Sequence, residues 1–204
     1  MLHISILGDS VSTFYNMSPS DGVFYDHATA FEAEILSAEE TWWMRVIRKK
    51  DGILHVNNSY AGTGVTTGGV DQGRAEHRLL SLRGSDAVII FLVLNDAAGG
   101  LLPVDFETAY RGLIEDIQNT VPGADIFCLT LPKARPGKGI MFRNVEWAAP
   151  LRSYNQAIKT AAAGTGACVL DIAGRLSYYT AMDGVHPDKN GMEQIAAACL
   201  EEWK

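Results

Sequence analysis

The sequence predicts an α/β fold organised around a parallel sheet. Five short apolar runs alternate with stretches of helical periodicity, and strands separated by helices pair in parallel. At 204 residues the chain is long enough for one α/β domain with a substantial core and too short for two comfortable ones. With 47% hydrophobic and 20% charged residues it has the make-up of an ordinary globular protein, not of a disordered tail, a collagen or a coiled coil. It is read as a single domain over residues 1–204.

The first run, HISIL at 3–7, opens the sheet, and a helix is expected over 39–50 before the second run at 53–58. A helix over 71–82 leads to the most apolar run, AVIIFLV at 87–93. Pro103 suits a helix start, and Phe106, Tyr110, Leu113 and Ile117 repeat at helical spacing, which predicts a helix over 104–120. The fourth run follows at 125–130, then a helix over 150–163, the fifth run at 167–172 and a closing helix over 189–203. In that last helix Met192, Ile195, Cys199 and Trp203 lie on or near one face. Two stretches are too long for plain connections: 16–38, and 132–148 with Pro132, Pro136, Gly137 and Gly139. Such loops in a compact domain are functional or disordered, and both are expected to border a cleft. Ligands of parallel sheets gather beyond the carboxyl ends of the strands.

A net charge of -7 argues against nucleic acid as the main partner. No stretch approaches a membrane span, and the N-terminus lacks the basic and apolar regions of a signal peptide. Cys128, Cys168 and Cys199 are odd in number and sit in apolar surroundings, which reads as three buried reduced thiols and a cytoplasmic protein. His3, His27, His55 and His77 lack metal-ligand spacing and are read as structural. The oligomeric state is left open.

Four features can carry chemistry. The first strand ends in Gly8-Asp9-Ser10-Val11, where a serine hydroxyl can stand exposed above the sheet, although Gly-Asp-Ser is also a common turn. Asp183-Gly184-Val185-His186-Pro187 spaces a carboxylate and an imidazole so that Asp183 can bind Nδ1 and leave Nε2 to take a proton; a surface turn would read the same way. The third run leads into Leu94-Asn95-Asp96, where Asn95 either donates to an oxyanion or caps a helix. The second run leads to Ser59-Tyr60-Ala61-Gly62-Thr63-Gly64, whose glycines either bring backbone N–H groups against a ligand or form a flexible turn. Asp9 is read as a capping residue.

These four blocks, in this order and over almost the whole chain, resemble the SGNH (GDSL-like) hydrolases. Gly8-Asp9-Ser10 matches the first block, residues 57–62 the second, Asn95-Asp96 the third, and Asp183 with His186 the last. The resemblance implies a flavodoxin-like three-layer α/β/α sandwich with a five-stranded parallel sheet of order 2-1-3-4-5. It also implies a catalytic set of Ser10, His186 and Asp183, an oxyanion hole from the Ser10 and Gly62 backbone N–H groups and the Asn95 side chain, and neither a metal nor a cofactor. Two positions depart from the family pattern. GDSV stands where many relatives have GDSL, and Val93 stands where the third block has glycine, which bears on the local backbone path and the acyl pocket.

The expected activity is hydrolysis of a small-molecule carboxylic ester with a short acyl group, an acylated sugar being one candidate substrate. A catalytically silent binding protein of the same fold is the alternative. A nucleotide-binding reading of GTGVTTGG lacks both the P-loop ending and a GxGxxG after the first strand. Phe24, Tyr25 and Phe31 can cap the cleft; Trp42 and Trp43 can join them or belong to the core. Lys133, Arg135, Lys138 and Arg143 form a basic loop that either receives an anionic group or is simply solvated.

Overall fold

The computed structural model of the chain describes residues 1–135 and 149–204. In chain order the elements are β1 (Leu2–Gly8), α1 (His27–Glu32), α2 (Trp42–Lys49), β2 (Gly52–Asn57), α3 (Glu76–Ser81), β3 (Ala87–Phe91), α4 (Leu94–Ala98) and α5 (Pro103–Thr120). They continue with β4 (Asp125–Leu129), β5 (Lys133–Arg135), α6 (Leu151–Thr165), β6 (Cys168–Leu170), α7 (Ile172–Arg175), β7 (Tyr178–Thr180) and α8 (Lys189–Glu202). The five predicted strands form one parallel sheet in the order β2-β1-β3-β4-β6, which is the expected order with β6 as its fifth strand.

The sheet is apolar where it is covered. All five residues of β3 are buried, as a central strand between two helical layers requires, whereas β2 at the edge alternates between half-buried and exposed. Helices α2 and α8 pack on each other, α5 and α6 do likewise, and these pairs flank the sheet. Pro103 starts α5, which buries Phe106, Tyr110, Leu113, Ile114 and Ile117. The Thr41 hydroxyl caps α2 by accepting from the Met44 N–H at 3.3 Å, and Asp188 caps α8 by accepting from the Gly191 N–H at 2.8 Å. Trp42 and Trp43 are fully buried, so they belong to the core and not to a cap over the cleft.

Several expectations need correction. The third strand stops at Phe91 because the chain turns into α4, and the fifth stops at Leu170 because α7 begins at Ile172. The helices expected over 39–50 and 71–82 are each divided into a 3-10 turn, Ala38–Glu40 or Gly69–Asp71, and a shorter α-helix. Residues 16–38 are not a plain loop, since they contain α1 and the 3-10 turn Ser20–Gly22. A second, two-stranded parallel sheet joins β5 to β7. Cys128 and Cys199 are buried, but Cys168 is exposed on the edge strand β6. Of the basic loop, Lys133 is exposed in β5, while Lys138, Arg143 and the Arg135 side chain lie outside the described residues, as do residues 136–148 of the second long stretch.

The first turn of α8 packs tightly against β7. A Cβ on Gly191 would lie 2.0 Å from the Thr180 carbonyl oxygen and 2.9 Å from Pro187 Cβ. Because the first of these is backbone, Gly191→Ala should cost about 1–3 kcal/mol of stability, read as a lowered urea midpoint at unchanged slope.

Candidate active site

Ser10 is set by the way β1 ends. Asp9 accepts the Val11 N–H at 3.0 Å and so caps the 3-10 turn Ser10–Ser12. The approach of this turn to the end of β2 requires glycine at position 8, where a Cβ would sit 2.6 Å from Ser12 Oγ and 2.9 Å from Ser59 Oγ. Asn57 then ties β2 to the turn by donating to the Ser12 carbonyl at 2.8 Å. Contrary to the expected exposed hydroxyl, Ser10 is only 5% exposed.

Across from it, residues 183–187 form a tight loop around one carboxylate. Asp183 Oδ1 accepts the backbone N–H groups of Val185 at 2.9 Å and His186 at 2.8 Å, while Oδ2 accepts from His186 Nδ1 at 2.6 Å. Gly184 makes the turn with a positive φ of 90°. Burial works against ionisation of Asp183, but its hydrogen bond and attraction to His186, with the two backbone donors, outweigh it and hold the carboxyl below its ordinary range. An ionised carboxylate only accepts, so the proton between the pair sits on Nδ1. Nε2 is then the acceptor for the Ser10 hydroxyl, whose Oγ lies 2.8 Å away.

Two buried tyrosines fix this loop from below: Tyr179 donates to the Val185 carbonyl at 2.6 Å and Tyr25 to the Pro187 carbonyl at 2.7 Å. Phe24 stacks on the His186 ring with centroids 3.5 Å apart and planes within 15°. Thr13 links Phe24 to the Ser10 turn, since its hydroxyl donates to the Ser10 carbonyl and accepts the Phe24 N–H, both at 3.0 Å. Phe31, by contrast, points to solvent at 74% exposure.

Asn95 lies in the first turn of α4, not on a strand, and it is not a helix cap. Its amide donates to the Thr63 carbonyl at 2.7 Å, which orients the side chain and uses one of its two N–H groups. Asp96, fully buried, gathers the neighbouring loop: it accepts from the N–H groups of Val65, Thr66 and Thr67 and from both threonine hydroxyls, at 2.6–3.1 Å. The glycine-rich stretch is thereby an anchored loop. Gly62 within it has a φ of 74°, and the N–H groups of Ser10 and Gly62 donate to no acceptor among the described residues. Val93 is buried in extended φ at -159°, so a branched side chain is accommodated where the family has glycine.

Sequence reasoning missed Thr13, Tyr179 and the anchoring role of Asp96; only Asp96 carried a signal, as the neighbour of Asn95. Among the described residues a cavity of about 610 Å³ opens between Leu94, Leu131, Tyr179, Gly184 and Val185, next in sequence to Asn95 on one side and His186 on the other. No cluster of three or more metal-ligating side chains occurs among the described residues. The other histidines lie apart, His3 beside Asp86 at 3.1 Å and His77 beside Asp71 at 3.3 Å. No helix is long and apolar enough to cross a membrane among the described residues.

A family model described as GDSL-like Lipase/Acylhydrolase matches residues 2–202. The chain belongs to this family. Membership makes it an esterase or acylhydrolase acting on ester bonds of small molecules. Solved structures share the architecture. An aryl esterase of M. smegmatis aligns with TM-score 0.74 at 15% identity, covering 98% of this chain and 97% of that one. Two proteins assigned as GDSL-like lipases, from Bacteroides ovatus ATCC 8483 and Bacteroides uniformis ATCC 8492, align with TM-scores 0.74 and 0.73 at 21% and 23% identity. They cover 98% and 99% of this chain and 97% and 95% of their own. Likeness at these identities is one of fold. No curated protein matches the chain.

Burial pushes the Asp9 carboxyl up to about 7, against the lowering effects of the Val11 N–H and the Arg78 charge. The folded state therefore keeps a proton that the unfolded chain releases near its ordinary value of 3.8, and stability falls as pH rises between these two values. Asp9→Asn has no such group. Its stability relative to wild type should increase from about pH 4 to about pH 7, measured by thermal unfolding; a constant difference would show that Asp9 is ionised in the folded protein.

Proposed function

We propose that the protein is a serine hydrolase that cleaves a carboxylic ester through an acyl-enzyme on Ser10. The observation that carries this reading is the unbroken line from the Ser10 hydroxyl to His186 Nε2 at 2.8 Å and from His186 Nδ1 to Asp183 at 2.6 Å. Ser10 Oγ attacks the ester carbonyl carbon as its proton passes to Nε2, and Asp183 stabilises the imidazolium and holds the tautomer. The tetrahedral oxyanion is met by the N–H groups of Ser10 and Gly62 and the second N–H of Asn95. Collapse expels the alcohol, which takes the proton from Nε2. A water then gives a proton to Nε2 and attacks the acyl-enzyme, and collapse releases the acid as Ser10 Oγ takes the proton back from Nε2.

The scheme needs neither cofactor nor metal and uses the chain as a single domain. We propose an ester with a short acyl group as substrate, an O-acetylated sugar among the candidates. The cavity beside Leu94 and Val185 supports placing the acyl group there, and the half-buried Phe24 supports a role for residues 16–38 in bordering the cleft. A silent binding protein would have no need of a base oriented on a serine.

Fluorophosphonate labelling tests the reading. Wild type should be labelled on Ser10, and Ser10→Ala should lose both labelling and ester hydrolysis while its circular dichroism stays native; a labelled, active Ser10→Ala protein refutes the assignment. Asn95→Ala should lower kcat by about 10²–10³. A rate within threefold of wild type in the folded variant makes Asn95 structural.

A further inference from the structure

Arg78 plays no part in the scheme above, yet it is the one arginine whose side chain is fully buried among the described residues. Its guanidinium donates four hydrogen bonds. Nη1 reaches Thr63 Oγ1 at 3.0 Å and the Asp71 carbonyl at 2.8 Å; Nη2 reaches the Gly8 carbonyl at 2.8 Å and the Asn58 carbonyl at 2.7 Å. Every one of these acceptors is neutral. Among the described residues no carboxylate forms an ion pair with Arg78, and its Nε lacks a hydrogen-bond partner. A Tyr60 ring lies 5.1 Å from the guanidinium carbon. Asp9 and Asp71 are near enough to attract it, but neither carboxylate forms an ion pair with it.

Burying a cation without an ionised partner is costly, and folded proteins pair such charges. The four acceptors show what this one holds. Gly8 leads into the Ser10 turn, Asn58 follows the strand that leads to Gly62, and Thr63 follows Gly62 and carries the carbonyl on which Asn95 is oriented. One planar fork therefore joins the chain segments of Ser10 and Gly62 and reaches Asn95 through Thr63. Lysine, with a single ammonium, could not span acceptors on both sides of the fork.

Resting on the acyl-transfer reading, we propose that Arg78 is the positioning residue of the oxyanion site: it aligns the Ser10, Gly62 and Asn95 donors and sets behind them a positive charge that no carboxylate pairs directly. A buried cation held by neutral acceptors gains when an anion forms nearby, which is the condition for stabilising the tetrahedral intermediate more than the bound ester.

The test compares wild type, Arg78→Gln and Arg78→Lys, each titrated with fluorophosphonate so that kcat is expressed per reactive Ser10. It also measures affinity for a trifluoromethyl ketone, which adds to the serine and leaves an oxyanion. Arg78→Gln should lower kcat per titrated site by about 100-fold and weaken the ketone by a similar factor, with KM within about threefold, the pattern of a lost oxyanion interaction. Arg78→Lys, which keeps the charge and loses the fork, should lose about tenfold in both. A clamp that only holds the fold would reduce the amount of titratable enzyme and leave kcat per site unchanged, and that result overturns the proposal. If Arg78→Gln does not fold, Arg78→Lys decides: kcat per site and ketone affinity both within threefold of wild type overturn it. Unlabelled wild type would refute the acyl-transfer reading and this inference with it, whereas labelled wild type beside indifferent Arg78 variants refutes the inference alone.

Discussion

Because β1 pairs with β3 from Ile4 opposite Ala87 to Gly8 opposite Phe91, the two strands leave the sheet side by side. That pairing decides where everything else must go. Residues just beyond Gly8 and Phe91 share the crevice at the point where the strand order reverses, and the helices that follow must diverge to opposite faces. Ser10 follows from the first strand and Asn95 from the second. The Asp183–His186 loop reaches the same crevice by docking on Tyr25 and Tyr179, whose hydroxyls accept no freedom in where the loop's carbonyls lie.

The interior around this crevice is polar, and it is kept rigid by saturation. Asp96 receives five hydrogen bonds and Asp183 three, so each carboxylate is solvated by protein in place of water. Both charges sit where backbone N–H groups converge on them. Arg78 is solvated by carbonyls in the corresponding way, and among the described residues no carboxylate forms an ion pair with it.

What could be read in the sequence follows from how local each cause is. A three-residue spacing between Asp183 and His186 is a local geometry, and the structure closes it with a hydrogen bond of 2.6 Å. Long periodic segments such as α5 and α8 announce their buried face at every turn. The strands β5 and β7 are three residues each, too short to show a period, and they exist only because each finds the other across 45 positions of chain. Cys168 looks buried in ACVLDI, but β6 is an edge strand, and edge position is set by partners elsewhere in the chain. Arg78 sits in EHRLLS, a string that reads as an ordinary solvated turn of helix. Its burial depends on the carbonyls of Gly8 and Asn58, which no local pattern reveals.

Ser10 and His186 stand 176 positions apart, and Tyr25 is 162 positions from the carbonyl it fixes. During synthesis Ser10 therefore emerges long before His186. A nascent chain that lacks residues 183–187 carries Ser10 without the imidazole that meets its hydroxyl in the folded protein. On the proposed mechanism ester turnover begins only once residues 183–187 have docked on Tyr25 and Tyr179, so it serves as a built-in report that this long-range contact has closed.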